Sequence, residues 1–188
     1  MLSVIQGIDD LCMTTNGTLL AAVAPALKEA GLNRVNISLD TLDPERYRLI
    51  TGGGRLDEAM AGIDAALASD LGPIKINMVI FADTAQHEID TMEKYCECKG
   101  LTLQRINHFT LENRDHGPGA VSADRPPKCS SCNKLRLTSD GYLKPCLFSE
   151  DEIPVDFDDI RSSLLSAVSG KPVSGTRCRS RLMHSIGG

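Results

Sequence analysis

Residues 74–80 read Ile-Lys-Ile-Asn-Met-Val-Ile, and the alternation within them decides how the surrounding chain is built. Ile74, Ile76, Met78 and Ile80 fall on one face of an extended segment, and Lys75 and Asn77 fall on the other, because successive side chains of a strand point to opposite sides. The run at 34–40 (RVNISLD) repeats the pattern, with Val35, Ile37 and Leu39 opposing Asn36, Ser38 and Asp40. Parallel strands sheathed by helices on both faces are apolar on both. Strands with one polar face, a lysine included, suit instead a barrel that is apolar under its helices and polar inside around a ligand. A sheet with one solvated face is the alternative.

Outward from these two strands, helical and extended signals alternate. Residues 18–30 carry helical spacing closed by Gly31, with Pro25 tolerable only in a first turn. Asp43-Pro44 reads as an N-cap with proline at the first helical position, opening a short helix to about Ile50. Gly52, Gly53 and Gly54 form a loop, and 56–69 is amphipathic, with apolar residues at 56, 59, 60, 63, 66 and 67. A helix over 88–99 ends at Gly100. Strands are expected at 10–16 and at 101–109, the latter with a weaker pattern because Leu103 and Phe109 share a parity with Arg105 and Asn107. This rhythm is that of right-handed parallel crossovers, hence an α/β fold. Four strand–helix units do not close a barrel, so either the sheet is open or the chain lacks its beginning.

The mixed composition, 41% hydrophobic and 24% charged, is that of a globular domain with a small appendage. A net charge of −5 excludes a general nucleic-acid coat, and 4% aromatics without Trp exclude a base-stacking platform. The N-terminus carries no signal-peptide pattern and nowhere do eighteen apolar residues run together, so no membrane span is expected. Seven cysteines within an α/β pattern do not suit a secreted disulfide framework and fit metal-bound thiols in a reducing, cytoplasmic setting.

Three of those cysteines stand in CSSCNKLRLTSDGYLKPC at 129–146, spaced C-x2-C-x13-C. A C-x2-C pair places two thiolates on one turn, near enough to grip one metal centre. Residues 135–138 alternate like a strand, 139–141 supply turn chemistry and 142–144 lead back, which returns Cys146 to the turn bearing Cys129 and Cys132. Two readings stand: structural zinc with Cys178 or His116 as fourth ligand, or a [4Fe–4S] cluster on three thiolates with one iron open. Lys134 and Arg136 beside the cysteines suit a site that also grasps phosphate. Cys96 and Cys98, two apart in a helix, face different ways and are packing or surface residues, Cys12 packs in a strand, and no two histidines stand four apart. Thr14-Thr15-Asn16-Gly17 is either strand-end turn chemistry or a ligand site at the carboxyl end of a parallel strand. Residues 111–128, with three prolines, read as a crossing loop, and the six acids of 150–159 as charge preceding a helix over 160–168.

MTTNG at 13–17, NISLD at 36–40, ITGGG at 50–54, KINMVI at 75–80, CSSCNKLRLTSDGYLKPCLF at 129–148 and a terminal Gly-Gly occur in this order. Together they resemble the molybdenum cofactor biosynthesis protein A family, the GTP 3′,8-cyclases of the radical SAM superfamily. The likeness covers nearly the whole chain; the cysteine stretch with its basic run is its most specific part and TTNG its least. The resemblance implies an incomplete (β/α) barrel, of which this chain carries strands three to six, joined to a small C-terminal cluster domain. It places the partial barrel in 1–112 and the [4Fe–4S] and substrate-binding domain in 113–188. In the family one cluster, held by C-x3-C-x2-C, cleaves S-adenosylmethionine to a radical that attacks the GTP ribose. A second cluster with an open iron binds the guanine. Carried over by motif, Cys129, Cys132 and Cys146 are the second cluster's ligands. Thr14, Lys75, Lys134, Leu135 and Arg136 contact GTP, Ser38 contacts S-adenosylmethionine, and Gly187 and Gly188 form a tail that reaches toward the active site. The resemblance also allows a homodimer and a downstream pterin-synthesis enzyme as functional partner.

Three departures qualify it. Neither C-x3-C-x2-C nor a Gly-Gly-Glu motif occurs, and the chain starts where the family's third strand starts, so two strand–helix units are expected to be absent and these residues alone should not generate the radical. Lys134 replaces the family's first arginine, keeping charge but losing the planar fork. Residues 107–128 stand where many relatives carry a longer insert, so the S-adenosylmethionine contact after the last barrel strand is not transferred. The alternatives are a non-catalytic cluster- or nucleotide-binding module and another radical SAM enzyme with an auxiliary cluster.

Overall fold

The computed structural model describes residues 6–108, 111 and 132–182, and these divide into two units, the first ending at Asn107 and the second starting at His108. The first contains β1 (Cys12–Thr15), α1 (Leu20–Glu29), β2 (Arg34–Ser38), α2 (Pro44–Ile50), α3 (Leu56–Ala68), β3 (Lys75–Ile80), α4 (Gln86–Lys99) and β4 (Thr102–Asn107). Its strands form one parallel sheet in the order β1-β2-β3-β4. The sequence pattern and the sheet agree closely. Val35, Ile37, Ile76 and Met78 are fully buried against Leu20 and Ala24 of α1, Ile63 and Ala66 of α3, and Ile89 and Met92 of α4. No residue on the opposite face is buried.

Local signals account for the element ends. Asp43 accepts the Arg46 N–H at 2.7 Å with Pro44 behind it, which satisfies an otherwise orphaned donor of α2. Gly100 ends α4 in the left-handed conformation at φ 66°. Pro25 is a correction: it lies inside α1, not in its first turn. The expectation rested on the cost of losing one helical hydrogen bond, whereas the packing of Leu20 and Ala24 in the core keeps the helix whole through the proline. Arg105, on the weaker fourth strand, points toward α4 and pairs with Glu93 at 3.4 Å while remaining part-exposed, so a charged residue on the helix-covered parity keeps its access to water.

In the second unit, β5 (Arg136–Leu137) and β6 (Tyr142–Lys144) form the expected antiparallel hairpin, with Arg136 opposite Lys144 and Leu137 opposite Leu143. A third strand, β7 (Ile153–Pro154), pairs antiparallel with β6 and was not anticipated, since two residues carry no period. The helix α5 (Ile160–Ser169) starts where expected, with Asp159 accepting the Ser162 N–H at 3.0 Å. Two of the acids before it have partners that the sequence did not show. Glu150 accepts the backbone N–H groups of Arg179 and Ser180, and Glu152 pairs with Lys144 and Arg181, so two of the six serve contacts with the far end of the chain instead of the helix dipole. Among the described residues no helix is long and apolar enough to cross a membrane.

Gly62 of α3 lies where an added Cβ would run into the Gly17 carbonyl and meet Leu20 Cβ at 3.2 Å. Gly62→Ala should therefore lower unfolding stability by about 2–3 kcal/mol, the cost of forcing a well-packed contact apart. A urea midpoint equal to that of the parent protein would contradict this packing.

Candidate functional site

In-register parallel pairing gathers the polar residues of the first unit on one face. Thr14, Asn36, Lys75 and Thr102 form one row, and Ser38, Asn77 and Gln104 form the next. Thr14 and Ser38 are exposed and Lys75 is half-buried. Among the described residues the Lys75 ammonium has no hydrogen-bond or ion-pair partner, and Asn77 Oδ1 is buried with none. A buried carbonyl oxygen without a donor is costly, so this face suits a molecule that brings N–H or O–H groups and negative charge. The TTNG motif divides in two here. Thr15 Oγ1 accepts the Gly17 N–H at 3.1 Å and Asn16 Oδ1 accepts the Thr18 N–H at 3.2 Å, shaping the turn into α1, while Thr14 alone belongs to the polar row.

At the carboxyl ends of β2 and β3 the following loops are tied together. Arg46 of α2 makes two bonds of 3.0 Å to Asp83 and a third, also 3.0 Å, from Nε to Glu88 Oε1. Glu88 in turn accepts the Ala85 N–H at 3.0 Å and lies 3.4 Å from Thr41 Oγ1. Asp40, just past β2, accepts the Val79 N–H at 2.8 Å. Sequence reading missed this clamp; its one legible signal was Glu88 at the third position of a helix, where a capping carboxylate belongs.

In the second unit, Cys132 and Cys146 are half-buried thiols flanking the hairpin. Burial alone would push the Cys132 thiol up, but the Lys134 backbone N–H and the nearby charges of Lys171 and Arg136 outweigh it and hold it below the ordinary thiol range. Such an electropositive setting favours the thiolate that a metal centre needs. Cys146 packs against the small core of Leu111, Leu147, Phe148 and Cys178, and a Cβ on Gly175 would come within 2.5 Å of its sulfur. Cys132 and Cys146, the two described thiols, and this cradle suit thiolate ligation, while among the described residues no three His, Cys, Asp or Glu side chains gather as a metal-ligand group. Lys134 is exposed, and Leu135 and Arg136 are half-buried. Cys178, one of the proposed fourth zinc ligands, is fully buried with its sulfur 3.8 Å from Glu150 Oε2 and 3.5 Å from Ser180 Oγ. An acidic neighbour is the reverse of the setting around Cys132. Cys129, His116, Gly187 and Gly188 lie outside the described residues. Cys96 is buried, its thiol pushed up to about 11 chiefly by burial, and Cys98 is exposed, as their spacing suggested.

Behind the hairpin lies a network that sequence reading also missed. Lys144, fully buried, donates to the Ser149 carbonyl at 2.6 Å and lies 3.4 Å from Glu152 Oε1. Arg181 grips both oxygens of Glu152 at 2.8 Å, bonds Asp140 at 2.7 Å and lies 5.5 Å from the Tyr142 ring centre. Glu150, held down to about 2 by the Ser180 hydroxyl and then the Arg179 N–H, anchors the same terminal segment.

Comparison with known proteins adds the following. Residues 1–96 match the radical SAM superfamily, and residues 78–166 match the family described as Molybdenum Cofactor Synthesis C. A GTP 3′,8-cyclase of Heliobacterium modesticaldum is 35% identical over 241 aligned positions, covering 97% of this chain and 74% of the relative. The GTP 3′,8-cyclase of Alkaliphilus oremlandii is 36% identical, with 92% and 68% covered. A probable GTP 3′,8-cyclase of Methanothermobacter marburgensis is 36% identical, with 84% and 65% covered. The first of these alignments is longer than the 188-residue chain, so that relative carries segments which this chain does not.

Asp40 offers a test of the polar face. Burial pushes its carboxyl up, against the pull of the Val79 N–H. A carboxyl raised in the folded state loses stability for the fold as pH climbs through the ordinary value of 3.8 toward the folded one, because the unfolded chain gives up its proton first. Asp40→Asn, which keeps an acceptor for Val79, should match the parent near pH 3 and be the more stable protein at pH 7. Urea unfolding across that range checks it; a gap that is constant with pH would reject the burial argument.

Proposed function

The chain belongs to the radical SAM superfamily and, within it, to the GTP 3′,8-cyclases, and from that membership we propose that it serves the conversion of GTP to the cyclic pterin precursor in molybdenum cofactor biosynthesis. The observation that carries this reading is Cys132, a half-buried thiol ringed by cationic groups on a hairpin that returns to Cys146. Cys129, Cys132 and Cys146 would hold a [4Fe–4S] cluster, and when bound it supplies an iron with an open position for the substrate base. The cationic groups near Cys132, against the acidic neighbour of Cys178, support this over closed structural zinc with Cys178 as fourth ligand.

The remaining roles belong to side chains. Arg136 and Lys134 bring positive charge beside the cysteines for GTP, with Leu135 between them offering an apolar contact. Lys75 and Thr14, in one row of the polar face, hold GTP by charge and hydroxyl, and Ser38, in the adjacent row, contacts S-adenosylmethionine. The unpartnered Asn77 oxygen supports a ligand on this face, since a bound N–H or O–H would satisfy it. The clamp of Arg46, Asp83 and Glu88 orients the loops that border these rows. Gly187 and Gly188 as a tail, the division at 112, a homodimer and a downstream pterin-synthesis enzyme rest on the family resemblance, and a cytoplasmic location rests on the cysteine usage.

Anaerobic reconstitution should load one [4Fe–4S] cluster per chain, without reductive cleavage of S-adenosylmethionine by these residues alone. GTP titration followed by ENDOR at the cluster should show binding, weakened about tenfold by Lys75→Ala or Arg136→Ala, the loss of one charge-assisted contact. Stoichiometric zinc without iron after anaerobic purification would overturn the cluster reading.

A further inference from the structure

Two residues of the segment after α5 border Cys132 and Cys146 directly. Lys171 Nζ donates to the Lys134 carbonyl and to the Pro145 carbonyl, both at 2.7 Å. Lys134 stands two residues beyond Cys132, and Pro145 immediately precedes Cys146. Ladder pairing of the hairpin ends with Arg136 opposite Lys144, so the ammonium joins the two arms beyond the last strand pair, where the cysteines are. An ammonium has three donors and no acceptor; two are spent on the arms.

Gly175 completes the arrangement. Its neighbour Thr176 donates to the Phe148 carbonyl at 2.8 Å, which fixes the segment against the chain just past Cys146. A Cβ at position 175 would lie 2.5 Å from Cys146 Sγ and 3.0 Å from both Phe148 Cβ and the Phe148 carbonyl oxygen. The sulfur occupies the space that a side chain would take.

We propose that 171–175 is a clasp on the cluster site, with Lys171 a positioning residue that sets the separation of the two hairpin arms and Gly175 the position that leaves Cys146 Sγ its room. The inference rests on the cluster reading above and reaches beyond it, because it assigns cluster retention to residues that are not ligands. Neutralising groups around a metal centre tune its affinity as well as its electronics, so the clasp has two separable effects, on cluster lifetime and on reduction potential.

The test uses the full chain, reconstituted anaerobically with iron and sulfide, as parent protein, Lys171→Gln and Lys171→Arg. Lys171→Gln should lose its cluster to a chelator about tenfold faster than the parent, with the potential moved downward because a cation beside an anionic centre is gone. Its urea midpoint without the cluster should stay near the parent value. Lys171→Arg, which keeps the charge and the donors, should restore most of both properties. A Gln variant with parental lifetime and potential overturns the proposal, as does a loss that follows falling stability and that arginine does not rescue. If the Gln variant does not fold, the parent decides. After partial lysine acetylation and loading, cluster-bearing molecules should be several-fold depleted in acetylated Lys171 relative to acetylated Lys28, and equal depletion rejects the clasp. A parent chain that takes up no iron rejects the cluster reading itself, which keeps the two failures distinct.

Discussion

Parallel pairing in register is the constraint on which the first unit depends. Once Asn36 stands opposite Lys75 and Ile37 opposite Ile76, every other side chain of those strands is assigned to a face, because a slip by one residue would exchange the faces. The apolar set is then buried under three helices, and the polar set is left in two rows. Burial of Val35, Ile37, Ile76 and Met78 stabilises the sheet; among the described residues the same registry leaves Lys75 without a partner and Asn77 with an idle oxygen. Stability and a ligand-ready surface thus come from one arrangement, and neither could be altered without the other.

The second unit solves a different problem. Among its described residues the apolar cluster at Cys146 is small, four buried residues with Cys146 against them, and such a cluster contributes little. What supplements it is ionic. Lys144 is buried completely, which is tolerable only because the Ser149 carbonyl and Glu152 accept hydrogen bonds from its ammonium. Glu152 would itself carry excess negative charge without Arg181, and Arg181 is further placed by Asp140 and by proximity to the Tyr142 ring. Each partner removes a desolvation cost created by another. The hairpin that carries the cysteines is the element these charges hold.

Most of the first unit was legible because its elements are long and periodic. Strand faces, the Asp43 cap, the Gly100 stop and the buried-versus-exposed split of Cys96 and Cys98 all follow from local rules that the packing reinforces. Pro25 was misjudged because a local penalty was outweighed by the core packing of Leu20 and Ala24 in the same helix. The cysteine spacing and its hairpin were legible for the same reason, turn chemistry between two alternating runs. What stayed hidden was every contact between residues far apart in sequence: Lys171 with Lys134, Glu150 with Arg179, Arg46 with Asp83 and Glu88. A charge in a sequence does not say which charge it will meet, and the acids of 150–159 were read by the nearest available rule, the helix dipole. The two-residue β7 carries too few positions to show any period.

Arg181 gives the second unit a direction in time. During synthesis Lys144 and Glu152 leave the ribosome together, well before Arg181 and before the Arg179 and Ser180 N–H groups that Glu150 awaits. Until those residues emerge, the hairpin can form its turn but not its complete ionic backing, and Lys171 and Gly175 are likewise late arrivals. The hairpin is therefore completed by a segment made after it. A nascent chain stalled short of Arg181 would present Cys132 and Cys146 on a hairpin without its complete ionic backing.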